Sequence, residues 1–214
     1  MFRQVKDFVL DLLFPKRCVA CGQHDTWFCA YCLRDIRFAD QKIKKEGQLQ
    51  GLFYVSAFAD PSMRVLIKAW KYEFLRDLEN PILSIVSNFC SKYGTIFPKN
   101  SVLVPIPLHK KRLLWRGFNQ AEVLAKILAL SLEGEVASIL LRPNATEAQA
   151  QLDHEEKKKN IAGAFSMIDN AAIFDRPIIL VDDCYTTGST MQECAKVLRQ
   201  SGAKEVWGFV LARG

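Results

Sequence analysis

The stretch that decides the fold is Pro177-Ile-Ile-Leu-Val-Asp-Asp-Cys-Tyr-Thr-Thr-Gly-Ser-Thr190. Ile178–Val181 is an unbroken apolar run of strand length, so it predicts a strand buried on both faces. Two carboxylates end it, a short turn of hydroxyls and glycine follows, and a helix is expected over Ser189–Ser201. In an open parallel sheet, ligands bind beyond the carboxyl ends of the strands. Thr186–Thr190 would present backbone N–H groups and hydroxyls at a helix N-terminus, where the dipole favours a phosphate, and Gly188 would let the backbone approach it. Asp182 and Asp183 would repel that phosphate. They suit vicinal hydroxyls of an attached ribose, or a role in positioning Mg2+. Any one of these features alone would read as an ordinary strand end and turn; the run Val181–Thr190 together reads as a ribose-5-phosphate site. Neither a Walker loop nor a G-x-G-x-x-G fingerprint is present.

Outward from this segment, strands and helices alternate. Strands are expected over Leu52–Ala59, Ser101–Ile106, Val136–Leu141 and Glu205–Ala212. Helices are expected after the Asp60-Pro61 cap, over Leu78–Tyr93 with Pro81 in the first turn, and over Phe118–Leu132. Alternation of this kind implies an α/β fold, a parallel sheet with helices on both faces. Pro143–Lys159 is polar and without a clear period, and is expected to be a loop or lid. Asp40–Gly51 reads as a polar linker, and Phe2, Val5, Phe8, Val9, Leu12 and Leu13 have the spacing of an amphipathic N-terminal helix.

The chain has 214 residues, half of them hydrophobic (50%), which supplies a substantial core and excludes wholesale disorder. No apolar run reaches the roughly 18–20 residues of a spanning helix, and the charged N-terminus does not resemble an export signal. The net charge of +6 admits phosphorylated small molecules and nucleic acid as partners and selects neither. Seven cysteines, an odd number, argue against a disulfide framework and for reduced thiols in a cytoplasmic protein.

Four of those cysteines form two C-x2-C pairs, Cys18 with Cys21 and Cys29 with Cys32. Each pair sets two thiolates on one side of a turn, and two such knuckles complete a four-sulfur tetrahedron. Zinc is the default ion and iron its main competitor. With every position filled by protein, the metal is structural, and neither His24 nor His109 is needed as a ligand. Residues 1–40 therefore read as an N-terminal helix and metal module, and 41–214 as the α/β domain.

A basic segment complements the acids. Pro98–Ala121 contains no acidic residue and carries Lys99, Lys110, Lys111, Arg112 and Arg116. It places cations at the same sheet edge as Asp182 and Asp183, and the Arg116 guanidinium suits a pair of phosphate oxygens. An exposed surface turn is the plain alternative. Binding of single-stranded DNA by Lys110–Arg116 with Trp115 and Phe118 is another, although both rings fit a core equally well.

Val181–Thr190 resembles the phosphoribosyl pyrophosphate (PRPP) signature of type I phosphoribosyltransferases, and with the cysteine module the chain resembles the ComF family, competence-associated proteins of bacteria. Val104-Pro-Ile-Pro-Leu-His109 with Arg116-Gly-Phe-Asn-Gln-Ala121 is similar to that family's pyrophosphate-loop region. Thr146-x-x-Gln149-x-x-Leu152 and Asn160-x-x-Gly163-Ala-Phe165 are similar to its flexible loop, with Lys157-Lys158-Lys159 where an arginine is expected. The resemblance implies that Asp182, Asp183, Tyr185, Thr186, Thr187, Gly188, Ser189 and Thr190 bind PRPP with Mg2+. It implies that Leu108, His109, Lys110, Lys111, Arg112 and Arg116 take the pyrophosphate. It also implies a role in DNA uptake, with single-stranded DNA and other uptake proteins as partners. An active phosphoribosyltransferase and a ligand-free metal-stabilised scaffold are the alternatives.

Overall fold

The computed structural model describes residues 15–72, 76–143, 163–168 and 175–214. The expected N-terminal helix lies outside the described residues. So do Thr146, Gln149, Leu152, His154, Lys157–Lys159 and Asn160 of the expected loop.

Five strands form one parallel sheet: β1 (Leu52–Ala57), β2 (Val102–Pro105), β3 (Glu135–Val136), β6 (Ile178–Tyr185) and β7 (Val206–Arg213). Their spatial order is β1-β7-β6-β2-β3, which puts β6 in the centre. A second, antiparallel pair joins β4 (Leu140–Leu141) to β5 (Ser166–Met167). The expected strand over Val136–Leu141 is thus two strands in two sheets. Ala137 still donates to the Leu103 carbonyl (3.0 Å), after which the chain leaves the main sheet and Ile139 accepts from Ile168 (2.8 Å).

Alternation along the strands sorts the core into two layers. Phe53, Val55, Leu103, Ile179, Val181, Phe209 and Leu211 pack on one side against α2 (Pro61–Tyr72), α3 (Glu79–Tyr93) and α5 (Gln120–Leu132). Leu52, Val102, Val104, Ile178, Leu180, Val206 and Val210 pack on the other against α6 (Ser189–Gln200) and the β4–β5 pair. Each helix is a product of its pattern. α3 buries Ile82, Ile85, Val86 and Phe89, the i, i+3, i+4, i+7 stripe of an amphipathic helix. Asp60 caps α2 by accepting from the Met63 N–H (2.9 Å), with Pro61 at the first helical position. This is the type I phosphoribosyltransferase-like arrangement that the resemblance implied.

The crossovers make one place in the sheet different from the rest. From β2 the chain passes through the first layer and moves outward to β3; from β6 it passes through α6 in the second layer and moves the opposite way to β7. Adjacent strands whose connections diverge to opposite faces leave a crevice at their carboxyl ends.

Phe209 is fully buried at the centre of the first layer, with ring centroids 6.0 Å from Phe89 and 6.1 Å from Phe97. Phe209→Ala is expected to lower unfolding stability by about 3–5 kcal/mol in chemical denaturation. A loss under about 1 kcal/mol would contradict this packing.

Candidate functional site

At the crevice, β2 and β6 pair as far as Pro105↔Val181, and Ile106 adds one bond to the Val181 carbonyl (3.0 Å). β2 then departs while β7 continues to pair with β6 through Tyr185↔Arg213. Asp182 and Asp183 therefore lie inside the strand, where the sequence placed them at its end. They sit where one neighbour has gone and the other remains.

The two acids have different surroundings. Asp183 is only 7% exposed, and its Oδ1 is 2.7 Å from Nζ of Lys71 in the last turn of α2. Burial works against the Lys71 ammonium, but the surrounding negative charges and hydrogen bond, led by Asp183, together outweigh it and raise the lysine above its usual range, so it stays protonated. Asp182 is partly exposed, and its Oδ1 accepts from the Asp183 N–H (2.8 Å). Desolvation and then the neighbouring Asp183 charge push its carboxyl up to about 7, against the pull of Lys71, that N–H and Arg142. Burial likewise raises the Cys184 thiol, with Asp183 adding to it, which favours its protonated form.

The turn after β6 is held from within. Gly188 adopts φ +75°, a left-handed conformation, and a Cβ there would overlap the Tyr185 hydroxyl. Tyr185, grouped with the binding residues by sequence, is buried. Its hydroxyl accepts from Gln192 Nε2 (3.1 Å), and Arg213 lies over its ring. Its side chain supports the turn from beneath, and Gly188 is required by that packing. Thr187 Oγ1 and Ser189 Oγ are 2.8 Å apart, and Thr187 Oγ1 also accepts from the Ser189 N–H (3.3 Å). Thr186 is exposed, while Thr190 is half-buried in the first turn of α6.

Across the crevice, Lys110–Arg116 is not a loop but a helix, α4. Its residues are good helix formers, and His109 Nδ1 caps it by accepting from the Lys111 N–H (3.2 Å). Only Pro107–His109 remains as the β2–α4 turn, pinned by Asn119, which donates to the Ile106 carbonyl (3.1 Å). Lys110 and Lys111 are exposed and Arg112 is half-buried. Arg116 donates to Gln120 Oε1 (3.2 Å), and buried Gln120 donates to the Trp70 carbonyl at the end of α2 (3.3 Å). Phe118 packs against Trp70 in the core, whereas Trp115 (56%) and Leu114 (74%) are exposed.

Two cations of the site escaped the sequence reading. Lys71 belongs to a helix far away in sequence, and nothing in its neighbours marks it. Arg142, which follows β4, is 9% exposed, with its guanidinium over the Phe165 ring (5.1 Å). Asp182 and Arg112 both act on it electrostatically, and burial and the Arg112 charge lower its pKa. Its position just before a polar segment was the one available signal. Asp182, Arg142 and Arg112 are thus within electrostatic reach of one another, with the hydroxyls of the Thr186–Thr190 turn following Asp182 in the chain, a set that can hold a polyhydroxylated anion.

The cysteines converge away from the crevice. The sulfurs of Cys18, Cys21, Cys29 and Cys32 all lie within 4.8 Å of one another, and those of Cys21 and Cys29 are 3.6 Å apart. A metal–sulfur bond of about 2.3 Å gives a tetrahedral edge of about 3.8 Å, so the four residues fit zinc. Backbone N–H groups point at the sulfurs: Cys29 N–H to Cys18 Sγ (3.4 Å) and Cys32 N–H to Cys29 Sγ (3.5 Å). Burial opposes the Cys18 thiolate, but backbone donors led by Cys29 outweigh it and lower the thiol to about 6. Gly22, at φ +78°, closes the first knuckle by donating to the Cys18 carbonyl (2.8 Å). The module, whose second knuckle opens helix α1 (Ala30–Asp35), docks on the first layer through Phe28 and Ile36, and Trp27 Nε1 donates to Asp77 (3.0 Å). Elemental analysis should give about one zinc per chain, and chelation should lower the melting temperature and shift Trp27 fluorescence. Purified protein free of both zinc and iron would contradict a metal module.

No family model matches the chain. It is 28% identical over 197 residues to Competence protein F of Haemophilus influenzae, covering 86% of this chain and 85% of that protein. It is 30% identical over 204 residues to DNA utilization protein YhgH of Escherichia coli (strain K12), covering 92% of this chain and 83% of that protein. Competence protein ComFC of Bacillus subtilis is 34% identical over 145 residues, which are 67% of this chain and 57% of that protein. With most of its length matched to these proteins, and with the cysteine cluster and parallel sheet in place, the chain belongs to the ComF family.

Proposed function

We propose that this ComF-family chain binds PRPP, with its Mg2+, in the β2–β6 crevice and serves DNA uptake by handling incoming single-stranded DNA on the cytoplasmic side. The observation that carries the reading is the acid doublet placed where β2 leaves β6, with the Thr186–Thr190 turn into α6 close behind it. The ribose diol meets Asp182 and Asp183, the 5-phosphate meets the turn, and the pyrophosphate with its Mg2+ faces Leu108–Arg112. Thr186, Thr187, Ser189 and Thr190 supply the hydroxyls. Arg116 is the further pyrophosphate ligand, and its bond to Gln120 ties α4 to α5, which Gln120 in turn ties to α2. The relatives' names, competence proteins and DNA utilization proteins, support the DNA side of the proposal. Residues 1–40 act as a structural platform for the domain formed by 41–214, and other uptake proteins are further partners.

Removing Asp183 would strand Lys71, so Asp182→Asn is the cleaner test. It is expected to weaken Mg-PRPP at least about tenfold in calorimetry with the melting temperature retained. Unchanged affinity would overturn the ribose assignment. Wild-type protein given Mg-PRPP and a panel of bases is expected to bind without releasing pyrophosphate; base-dependent release would make it a phosphoribosyltransferase instead.

Exposed Lys110, Lys111, Leu114 and Trp115 give α4 the cations and the ring that single strands favour. Replacing both lysines by alanine is expected to weaken single-stranded DNA and reduce the slope of log affinity against log salt by about 1.4, two phosphates at roughly 0.7 each. An unchanged slope would place DNA elsewhere or nowhere.

A further inference from the structure

Lys71 is in direct contact with the acid doublet, and it comes from a helix more than a hundred residues earlier in the sequence. Its ammonium and the Asp183 carboxylate are 2.7 Å apart, with side chains 20% and 10% exposed. So enclosed a pair constrains geometry more than a surface bridge does, because each charge has lost most of its water. α2 is held rigidly at this end. Gln120 donates to the Trp70 carbonyl, next to Lys71, and is itself held by Arg116. Trp70 is fully buried against Phe118. The lysine also sits in the last turn of the helix, where the dipole favours a cation.

Two adjacent carboxylates facing a phosphorylated sugar repel both each other and the phosphates. One positive charge bound to the inner carboxylate neutralises one of the two negative charges and fixes the orientation of the group. Asp183 then offers the oxygen opposite Oδ1. The other charged or ionisable groups around the doublet are Cys184 on β6, Arg142 after β4 and Cys194 on α6; of these, only Arg142 is a cation.

We propose that Lys71 is a positioning residue for sugar recognition, acting through Asp183 to orient and neutralise it while touching no phosphate. The proposal rests on the PRPP reading of the crevice. The three contributions then divide cleanly: Lys71 serves the diol, and Arg112 and Arg142 serve the anion.

The test compares Mg-PRPP with inorganic pyrophosphate as calorimetric probes of the full chain. Lys71→Gln, which keeps a hydrogen-bond donor and removes the charge, is expected to weaken Mg-PRPP at least about tenfold and pyrophosphate less than about threefold. Lys71→Arg keeps the ion pair and is expected to restore PRPP affinity to within about threefold of wild type. Circular dichroism and melting curves verify that both variants fold. Equal loss of both probes in Lys71→Gln would show direct phosphate contact or general damage, and unchanged PRPP affinity would show no role; either overturns the proposal. Failure of the Arg variant to restore PRPP binding overturns it as well. Wild-type protein that binds pyrophosphate but not PRPP would instead overturn the underlying reading, and Lys71's role with it.

Discussion

A central strand packed on both faces tolerates charge only where a neighbour leaves it, and β6 is built on that constraint. Ile178–Val181 are fully buried between β2 and β7. One residue later β2 has departed, and two carboxylates follow at once. A carboxylate in the closed part of the sheet would cost several kcal/mol after relaxation. At the opening, Asp182 keeps part of its hydration and Asp183 is compensated by Lys71. The divergence of the β2 and β6 connections creates the opening, so fold and site are one consequence of strand order.

The same logic gives the cysteine module a part in the site without contact to it. Phe28, Ile36 and the buried cysteines join the layer formed by α2 and α3. Asp60 caps α2 and also accepts from the Arg37 N–H (3.2 Å), while Ser62 donates to Asp35 (3.4 Å). The module therefore steadies the N-terminal end of α2, and Gln120 steadies the other. A helix fixed at both ends presents Lys71 with little freedom.

Much of this was legible in the sequence because it is local. The apolar run Ile178–Val181, the doubled C-x2-C, the Asp60-Pro61 cap and the stripe of α3 each declare themselves within a few residues. What was not legible depends on partners distant in sequence. β6 extends to Tyr185 because β7 continues beside it, and no local pattern distinguishes Asp182 in a strand from Asp182 after one. Tyr185 reads as part of a binding turn until Gln192 and Arg213 are seen around it. Lys110–Arg116 reads as a basic loop by charge, yet its residues are helix formers with a histidine cap. The Val136–Leu141 run was apolar enough for one strand, but its two ends found different sheets. Lys71 required the tertiary structure outright.

Where the sugar phosphate sits is decisive, and a crystal structure of the chain saturated with Mg-PRPP reads that directly. It is expected to show the 5-phosphate against Thr186–Thr190 and the ribose hydroxyls within hydrogen-bond distance of Asp182 and Asp183, with Lys71 still on Asp183. An empty crevice at saturation, or PRPP bound at another surface, would contradict it.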